Sequence, residues 1–261
     1  MKKIFTSLMM TGAVGLAQAD MITQTVDYEI DGQPYQGLLV YDDAVTEQRP
    51  GLLMVPNWMG VTEHAAKKAF RAGGSDYIVF VADLYGKDIR PADAKAAGAA
   101  ASVVRSDRTL MRERVNAALD VFKAQVDKVA LDAARLGAIG FCFGGTAVLE
   151  LARSGTEIGG AVSFHGNLDT PNPEDAKAIG MPLLVLHGAD DPYVPPEQVA
   201  AFEQEMRSAE VSDWQLLSYG GAVHSFTDPT AKVKGQAEYN PRVAERALSQ
   251  MRMFFNETLA D

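Results

Sequence analysis

Several residue types that mark whole classes of protein are scarce in this sequence. Its 261 residues include one cysteine, which excludes an internal disulfide. The four histidines are scattered, without the His-Glu-x-x-His spacing of a zinc site, so no metal site is predicted. Basic residues are outnumbered, 24 against 34 acids, and the formal net charge of −10 disfavours nucleic acid and anionic membranes as partners.

The apolar run at the N-terminus, residues 4–16, is too short to span a bilayer comfortably. Two lysines precede it, and residues 17–19 (Ala-Gln-Ala) follow as a small-x-small cleavage site. The pattern predicts a signal peptide over residues 1–19 and export to the periplasm or the exterior; a helix retained in the fold is the alternative. Residues 20–261 are predicted to form a single domain, since 47% hydrophobic and 22% charged residues are a normal globular composition.

Past residue 20, strand patterns alternate with helical ones. An antiparallel hairpin is predicted around Asp31-Gly32, with strands over residues 23–30 and 33–41. Six apolar strands are then predicted over residues 52–55, 77–82, 136–141, 161–164, 181–187 and 214–219. Helical patterns cover residues 61–72, 91–126 (one or two helices), 146 to about 153, 196–207 and 241–257. This alternation predicts an α/β fold, a mainly parallel sheet with helices on both faces and a site at the carboxyl ends of the strands.

The only cysteine lies in a glycine-rich turn. Residues 140–145, Gly-Phe-Cys-Phe-Gly-Gly, connect the predicted strand over 136–141 to a helix. Gly-x-Cys-x-Gly at such a junction is typical of a nucleophile elbow, where a tight turn pushes one side chain out of the end of the sheet. Cys142 is therefore a candidate catalytic thiol. The alternative is a small buried apolar residue, the usual environment of a lone cysteine.

Two further side chains follow predicted strands in the order that α/β-hydrolases use, nucleophile, acid and histidine. Asp191 follows the strand over 181–187, and His224 follows the strand over 214–219. Asp190 is the competing candidate for the acid. The two-residue gap between Asp191 and the Val-Pro pair at 194–195 favours Asp191. His224 alone would suggest a capped loop histidine; its place after the last strand favours catalysis. His187 is interpreted as a packing and hydrogen-bonding residue.

The residue types predict acyl-transfer chemistry. His224 can accept the thiol proton of Cys142, and the start of the following helix favours the thiolate. Asp191 would hold the imidazole in the useful tautomer. Backbone N–H groups of Trp58 and Phe143 are the predicted oxyanion hole, since Trp58 follows the strand over 52–55. The thiolate would attack an ester carbonyl, and water would release the acid from a thioester.

Four segments together resemble the dienelactone hydrolase family. They are residues 138–145 (Ala-Ile-Gly-Phe-Cys-Phe-Gly-Gly), 82–86 (Ala-Asp-Leu-Tyr-Gly), 187–191 (His-Gly-Ala-Asp-Asp) and 224–226 (His-Ser-Phe). The resemblance spans about residue 25 to the C-terminus. It implies a single α/β-hydrolase domain, a Cys142–His224–Asp191 triad and no cofactor.

Two positions depart from the family pattern. Asn57 stands where the dienelactone-cleaving members carry a glutamate that helps regulate ionisation of the thiol, and Asp228 stands where they carry a carboxylate-binding arginine. Asn57 cannot take up a proton, which favours direct activation of the thiol by the histidine. Asn57, Asp228 and His165 are predicted to line the substrate pocket, with a structural role as the alternative for His165. Arg105, Arg108 or Arg112 could reach this pocket from the helical segment, and an exposed helix face is the simpler interpretation of all three.

The sequence therefore predicts an exported hydrolase of a small ester, lactone or thioester, working as a monomer or small homo-oligomer. The predicted partner is a small-molecule substrate rather than nucleic acid, and no membrane span is predicted in the mature chain. Two alternatives remain open: a peptidase or acyltransferase on the same scaffold, and a catalytically silent binding or stress-associated protein.

Overall fold

A computed structural model describes residues 21–260, so the predicted signal peptide over residues 1–19 lies outside the described part of the chain. The strands of the main sheet are β1 (Met21–Ile30), β2 (Gln33–Asp42), β3 (Arg49–Val55), β4 (Ile78–Val81), β5 (Leu131–Phe141), β6 (Ala161–Phe164), β7 (Leu183–Gly188) and β8 (Trp214–Tyr219). They are hydrogen-bonded in the order β1-β2-β4-β3-β5-β6-β7-β8. Strands β3 to β8 pair in parallel, whereas β1 and β2 are antiparallel to their neighbours. The predicted α/β-hydrolase fold, with its N-terminal antiparallel hairpin, is confirmed.

The hairpin forms because its two turn residues accept a left-handed backbone. Asp31 has φ 50° and Gly32 has φ 74°, and Ile30 pairs with Gln33 directly across the turn. Two consecutive residues with positive φ make the turn whose twist matches that of the strands, and Asp-Gly is among the sequences that adopt it most readily. This turn sets the register of β1 on β2.

Within residues 21–260, six α-helices cover the two faces of the sheet. They are α1 (Glu63–Gly73), α2 (Ala94–Arg105), α3 (Arg108–Lys123), α4 (Phe143–Arg153), α5 (Pro196–Ser208) and α6 (Pro241–Thr258). Helices α1 and α6 pack with one apolar core, and α2, α3, α4 and α5 pack with the other. The segment predicted as one or two helices is two, because Asp107 caps α3 by accepting a hydrogen bond from the Leu110 N–H.

The structure adds elements that the sequence patterns did not predict. A 3₁₀ helix spans Pro173–Ala178, and a small hairpin pairs β9 (Lys232–Val233) with β10 (Ala237–Glu238).

Strands β4 and β6 are buried throughout, as expected for a sheet covered on both faces. Within residues 21–260, none of the helices combines the length and apolar character needed to cross a membrane.

A buried ion-pair network joins α4 to α5. Arg153 is 2% exposed and donates to both carboxylate oxygens of Glu205 at 2.8 Å, to Glu150 at 3.0 Å and to the Leu168 carbonyl at 3.0 Å. Glu150 is fully buried. Two carboxylates in a dry interior need this guanidinium, since unpaired buried charges are strongly destabilising.

We expect Arg153→Met to lower the free energy of unfolding by about 3–5 kcal/mol, because it leaves Glu205 buried without a counter-charge and Glu150 with Arg112 as its only remaining one. Chemical denaturation of both proteins measures the loss. The matched control is Arg207→Met, which removes an exposed arginine from α5 and its pair with Glu203, and should cost less than about 1 kcal/mol. Equal losses in the two variants would contradict the network's role.

Candidate active site

Cys142 lies at a sharp turn between β5 and α4. Its backbone has φ 56° and ψ −117°, a conformation that residues with a side chain rarely adopt. The turn is possible only because glycines surround it. A Cβ on Gly140 would lie 1.9 Å from the Gly144 carbonyl oxygen, and one on Gly144 would lie 2.0 Å from the Val55 oxygen. Cys142 is thus raised at the carboxyl end of β5, with its side chain partly exposed.

The structure brings together the three side chains predicted to act on the substrate. His224 Nε2 lies 3.0 Å from Cys142 Sγ, and His224 Nδ1 lies 2.8 Å from Asp191 Oδ2. Asp191 and His224 are buried. Asp190, the competing acid, is exposed and accepts a hydrogen bond from the Gly221 N–H instead. The carboxylate in reach of the histidine is therefore that of Asp191.

Backbone contacts hold the acid and the histidine in place. The Tyr193 N–H donates to Asp191 Oδ1 at 2.8 Å, which leaves Oδ2 for His224. The His224 N–H donates to the Gln236 carbonyl, and the His224 carbonyl accepts from the Glu238 N–H, each at 3.0 Å. One segment of the hairpin β9/β10, residues 236–238, thus holds the backbone of the histidine through both bonds. These backbone contacts were not predicted from the sequence. The one local signal for the hairpin is Gly235, a glycine with positive φ at its turn.

The charges of the site favour an ionised pair. Desolvation opposes ionisation of the Cys142 thiol, but the hydrogen bond and charge of His224 outweigh it, so the pKa of the thiol is lowered. The Phe143 N–H and the positive charge of Arg105 act in the same direction. Burial likewise disfavours the imidazolium form, yet the hydrogen bonds that the ring donates to Asp191 and Cys142 raise the pKa of His224. The arrangement therefore favours a thiolate beside an imidazolium.

The predicted oxyanion donors lie on two adjoining turns. Phe143 opens α4, so its N–H has no acceptor within the helix, and its ring packs on Tyr85 with centroids 5.5 Å apart. Tyr85 Oη donates to the Trp58 carbonyl at 2.9 Å. Across residues 21–260 the Trp58 N–H has no hydrogen-bond acceptor. The Trp58 N–H is therefore free to receive a ligand oxygen, whereas the Phe143 N–H contacts the Cys142 thiol. The direction of both groups toward a substrate stays a prediction.

Asp228 is buried, and both of its carboxylate oxygens are hydrogen-bonded to other groups of the protein. Oδ2 accepts from Lys68 Nζ at 3.2 Å, lies 3.1 Å from His64 Nε2 and 3.5 Å from Asn57 Nδ2, while Oδ1 accepts from Thr230. Burial disfavours this carboxylate, but the His64 hydrogen bond and the Lys68 charge outweigh it and lower the pKa of Asp228. A direct substrate contact for Asp228 stays a prediction. Sequence reasoning missed both partners, which lie on α1, some 160 residues away.

Asn57 and His165 are also engaged by the protein. Asn57 Oδ1 accepts from the Met59 N–H at 3.0 Å, and the Gly60 N–H donates to the Asn57 carbonyl. His165 is 2% exposed, with one ring nitrogen 3.2 Å from the Cys142 backbone nitrogen. Their predicted contacts with substrate remain untested.

The three arginines of the helical segment differ in their partners. Arg108 pairs with Asp169 at 3.0 Å, and Arg112 pairs with Glu150 at 2.7 Å. Within the described chain Arg105 has no ion-pair partner, and it is exposed at the end of α2. No cluster of three or more histidine, cysteine, aspartate or glutamate side chains suited to a metal occurs among residues 21–260.

Comparison with known proteins gives consistent matches over almost the whole described chain. A family model described as the dienelactone hydrolase family matches residues 36–259. A probable 2-oxo-3-(5-oxofuran-2-ylidene)propanoate lactonase of Bradyrhizobium sp is 26% identical over 219 residues, covering 79% of this chain and 86% of that protein. An uncharacterized protein of Caenorhabditis elegans is 40% identical over 134 residues, covering 48% of this chain and 78% of that protein.

Solved structures are similar along their full length. A dienelactone hydrolase-like promiscuous phosphotriesterase from metagenomic libraries is 36% identical with a TM-score of 0.85, covering 93% of this chain and 100% of the other. A protein named m3DLH is 38% identical with a TM-score of 0.83, covering 92% of this chain and 99% of the other. The likeness therefore extends to sequence as well as fold.

Proposed function

Because this chain belongs to the dienelactone hydrolase family, a group of carboxylic ester and lactone hydrolases, we propose that it cleaves a small ester, lactone or thioester through Cys142, His224 and Asp191. One observation carries the proposal. An unbroken series of contacts of 3.0 and 2.8 Å joins the thiol, the imidazole and the carboxylate at the carboxyl ends of parallel strands. That end of an open parallel sheet is where ligands bind.

The first half of the reaction forms a thioester. The Cys142 thiolate attacks the carbonyl carbon, a C–S bond forms, and the carbonyl electrons move to the oxygen. The N–H groups of Trp58 and Phe143 receive this oxyanion. When the carbonyl reforms, the bond to the leaving oxygen or sulfur breaks, and the His224 imidazolium gives its proton to the leaving group. In a lactone the leaving hydroxyl stays on the same molecule.

The second half releases the acid. His224, now neutral, takes a proton from water as the water oxygen attacks the thioester carbon. Collapse of the second oxyanion breaks the C–S bond and restores the thiolate beside the imidazolium. Asp191 keeps the ring in one orientation and stabilises its positive form in both halves. Asn57 cannot exchange a proton, so activation of the thiol runs directly through His224.

The surroundings of the thiol suggest the kind of acyl group. Trp58 and Tyr193 are 36% and 47% exposed, and Tyr193 lies edge-on to the His224 ring at 5.2 Å. Exposed aromatic rings suit a small unsaturated or ring-shaped substrate. Arg105 carries a positive charge that already favours the thiolate and has no ion-pair partner in the described structure, so it can also attract a substrate carboxylate.

A substrate panel on the mature protein tests the proposal. It contains short p-nitrophenyl esters, lactones and thioesters, each neutral or carrying a carboxylate, together with a peptide amide. We expect turnover of at least one ester or lactone, a covalent acyl adduct on Cys142 in the intact mass, and loss of both after iodoacetamide treatment. No turnover above the alkylated protein would favour the silent binding protein; cleavage of the amide alone would favour the peptidase.

We also propose that residues 1–19 direct export and are removed, which leaves residues 20–261 as the working domain. The charged, apolar and small-residue parts of this segment support the proposal. The N-terminal sequence of protein recovered from a periplasmic fraction should begin at Asp20; recovery of a chain that starts at Met1 would contradict export by cleavage.

A further inference from the structure

His165 connects the nucleophile to the loop that carries the catalytic histidine. It follows β6 and is 2% exposed. Its Nδ1 accepts a hydrogen bond from the Cys142 backbone N–H at 3.2 Å, and the same N–H also donates to the Phe164 carbonyl at 3.0 Å. Its Nε2 lies 2.8 Å from Thr227 Oγ1. Thr227 lies three residues past His224 on the same loop. One buried ring therefore contacts both the backbone of the nucleophile and the loop that carries the catalytic histidine.

These two contacts determine where the ring proton lies. Nδ1 can accept a hydrogen bond only when it carries no proton, so the single proton of a neutral imidazole must be on Nε2, where it is donated to Thr227. Burial, together with the positive charges of His224 and Lys68, holds the pKa of His165 well below its usual range, and the nearby Asp228 only partly opposes this. His165 thus stays neutral while its neighbour His224 becomes charged.

Both residues of this contact have a strained backbone. His165 has φ 40° and Cys142 has φ 56°, both in the left-handed region that residues other than glycine avoid. The two strained residues are joined by the same hydrogen bond. Strain at non-glycine residues persists where the surrounding structure over-determines it, which is common at active sites.

Ring packing places His165 against the general base itself. Its centroid lies 5.3 Å from that of His224, at an interplanar angle of 63°, and 5.0 Å from that of Phe226 at 84°. A charged ring here would oppose formation of the His224 imidazolium. A neutral ring of this shape fills the space without that penalty.

We propose that His165 is a positioning residue for the hydrolysis: a neutral imidazole that fixes the Cys142 backbone relative to His224 and so supports the thiolate–imidazolium pair. The expected effect of His165 on the rate of hydrolysis rests on the proposed function. Its effect on the thiol is independent of any substrate, because alkylation of Cys142 reports the thiolate directly.

Three variants separate positioning from mere packing. His165→Leu keeps the apolar volume but removes the acceptor. His165→Asn places an amide oxygen near the position of Nδ1 and tolerates the left-handed backbone. Phe226→Leu removes ring packing from His165 and leaves its hydrogen bonds intact. For each protein, the rate of iodoacetamide alkylation is measured from pH 5 to 10, along with thermal stability and, on the best ester of the panel, kcat and KM.

We expect the alkylation profile of His165→Leu to move toward alkaline pH by about one unit, with kcat reduced at least about tenfold and KM within about threefold of the wild type. His165→Asn should recover most of both losses. Phe226→Leu should unfold at a lower temperature while its alkylation profile stays that of the wild type.

Other outcomes would overturn the assignment. If His165→Leu alkylates like the wild type, or if the leucine and asparagine variants are equally impaired, His165 only fills space. Should the leucine variant fail to fold, Thr227→Val replaces it: loss of the Nε2–H acceptor should shift the profile in the same direction by a smaller amount, and an unshifted profile would reject the proposal. A protein that hydrolyses nothing in the panel but shows these shifts refutes the proposed function and leaves the role of His165 intact.

Discussion

Replacing Cys142 with alanine is expected to lower kcat/KM on the best ester of the panel by at least about ten-thousand-fold, because no other group can form the covalent intermediate. The His224–Asp191 contact does not involve the thiol and should persist. The oxyanion donors also remain, so a small residual rate over water is compatible with the mechanism. Steady-state kinetics and intact mass measure the two losses, turnover and acyl adduct, on the same sample.

Cys142→Ser is the matched control for the shape of the turn. Serine preserves the size of the side chain and the left-handed backbone is unchanged, but the hydroxyl ionises far less readily than a thiol with a lowered pKa. We expect slow turnover through an oxygen ester rather than none. If the alanine variant retains more than about a hundredth of the wild-type kcat/KM, the covalent route is wrong.

His224→Gln should reduce kcat at least about a thousandfold, since the general base and acid of both half-reactions is lost. It should also change the pH dependence of the thiol. In the wild type the pKa of Cys142 is lowered and that of His224 is raised, so the thiolate–imidazolium pair exists between the two values. Alkylation of the wild type is therefore expected to extend to lower pH than that of an ordinary thiol, and to fall as the thiolate takes up a proton.

In the glutamine variant the imidazolium is gone and the pKa of the thiol returns toward or above the ordinary value of about 8.5. Alkylation at pH 7 should drop by at least about tenfold and approach the wild-type rate only in alkali. His187→Gln is the matched control, because His187 is buried and near the site but contacts neither Cys142 nor Asp191 through a hydrogen bond. Unchanged alkylation in His224→Gln would remove this histidine from activation.

Much of the scaffold was predictable because its strands are continuous apolar runs. The strands predicted over residues 161–164 and 214–219 have those bounds in the structure. Strand β3 begins earlier than predicted, at Arg49, whose buried guanidinium donates through its two terminal nitrogens to the Asp42, Val45 and Ser75 carbonyls. A charged residue gives no strand signal until those acceptors are known.

Parts of the candidate site were predictable for a different reason. The meeting of Cys142, Asp191 and His224 follows from parallel topology, since each comes after a strand and the carboxyl ends of the strands lie at one edge of the sheet. The cluster of Lys68 and His64 on Asp228 could not be predicted, because its members share no local pattern and meet only through folding. The two-residue strands β9 and β10 are too short to show any periodicity.

The clearance around the nucleophile turn bears on how such an enzyme can diverge. No side chain fits at Gly140 or Gly144, because a Cβ at either position would collide with backbone atoms. Substitutions at these two glycines are therefore expected to disrupt the turn, whichever reaction the enzyme catalyses. The nucleophile between them faces outward and can exchange an oxygen for a sulfur without moving the chain. Trp58, Tyr193 and Arg105 are exposed around the nucleophile. Substitutions at these exposed side chains are therefore expected to be tolerated better than substitutions within the turn, so the substrate range can change while the nucleophile stays in place.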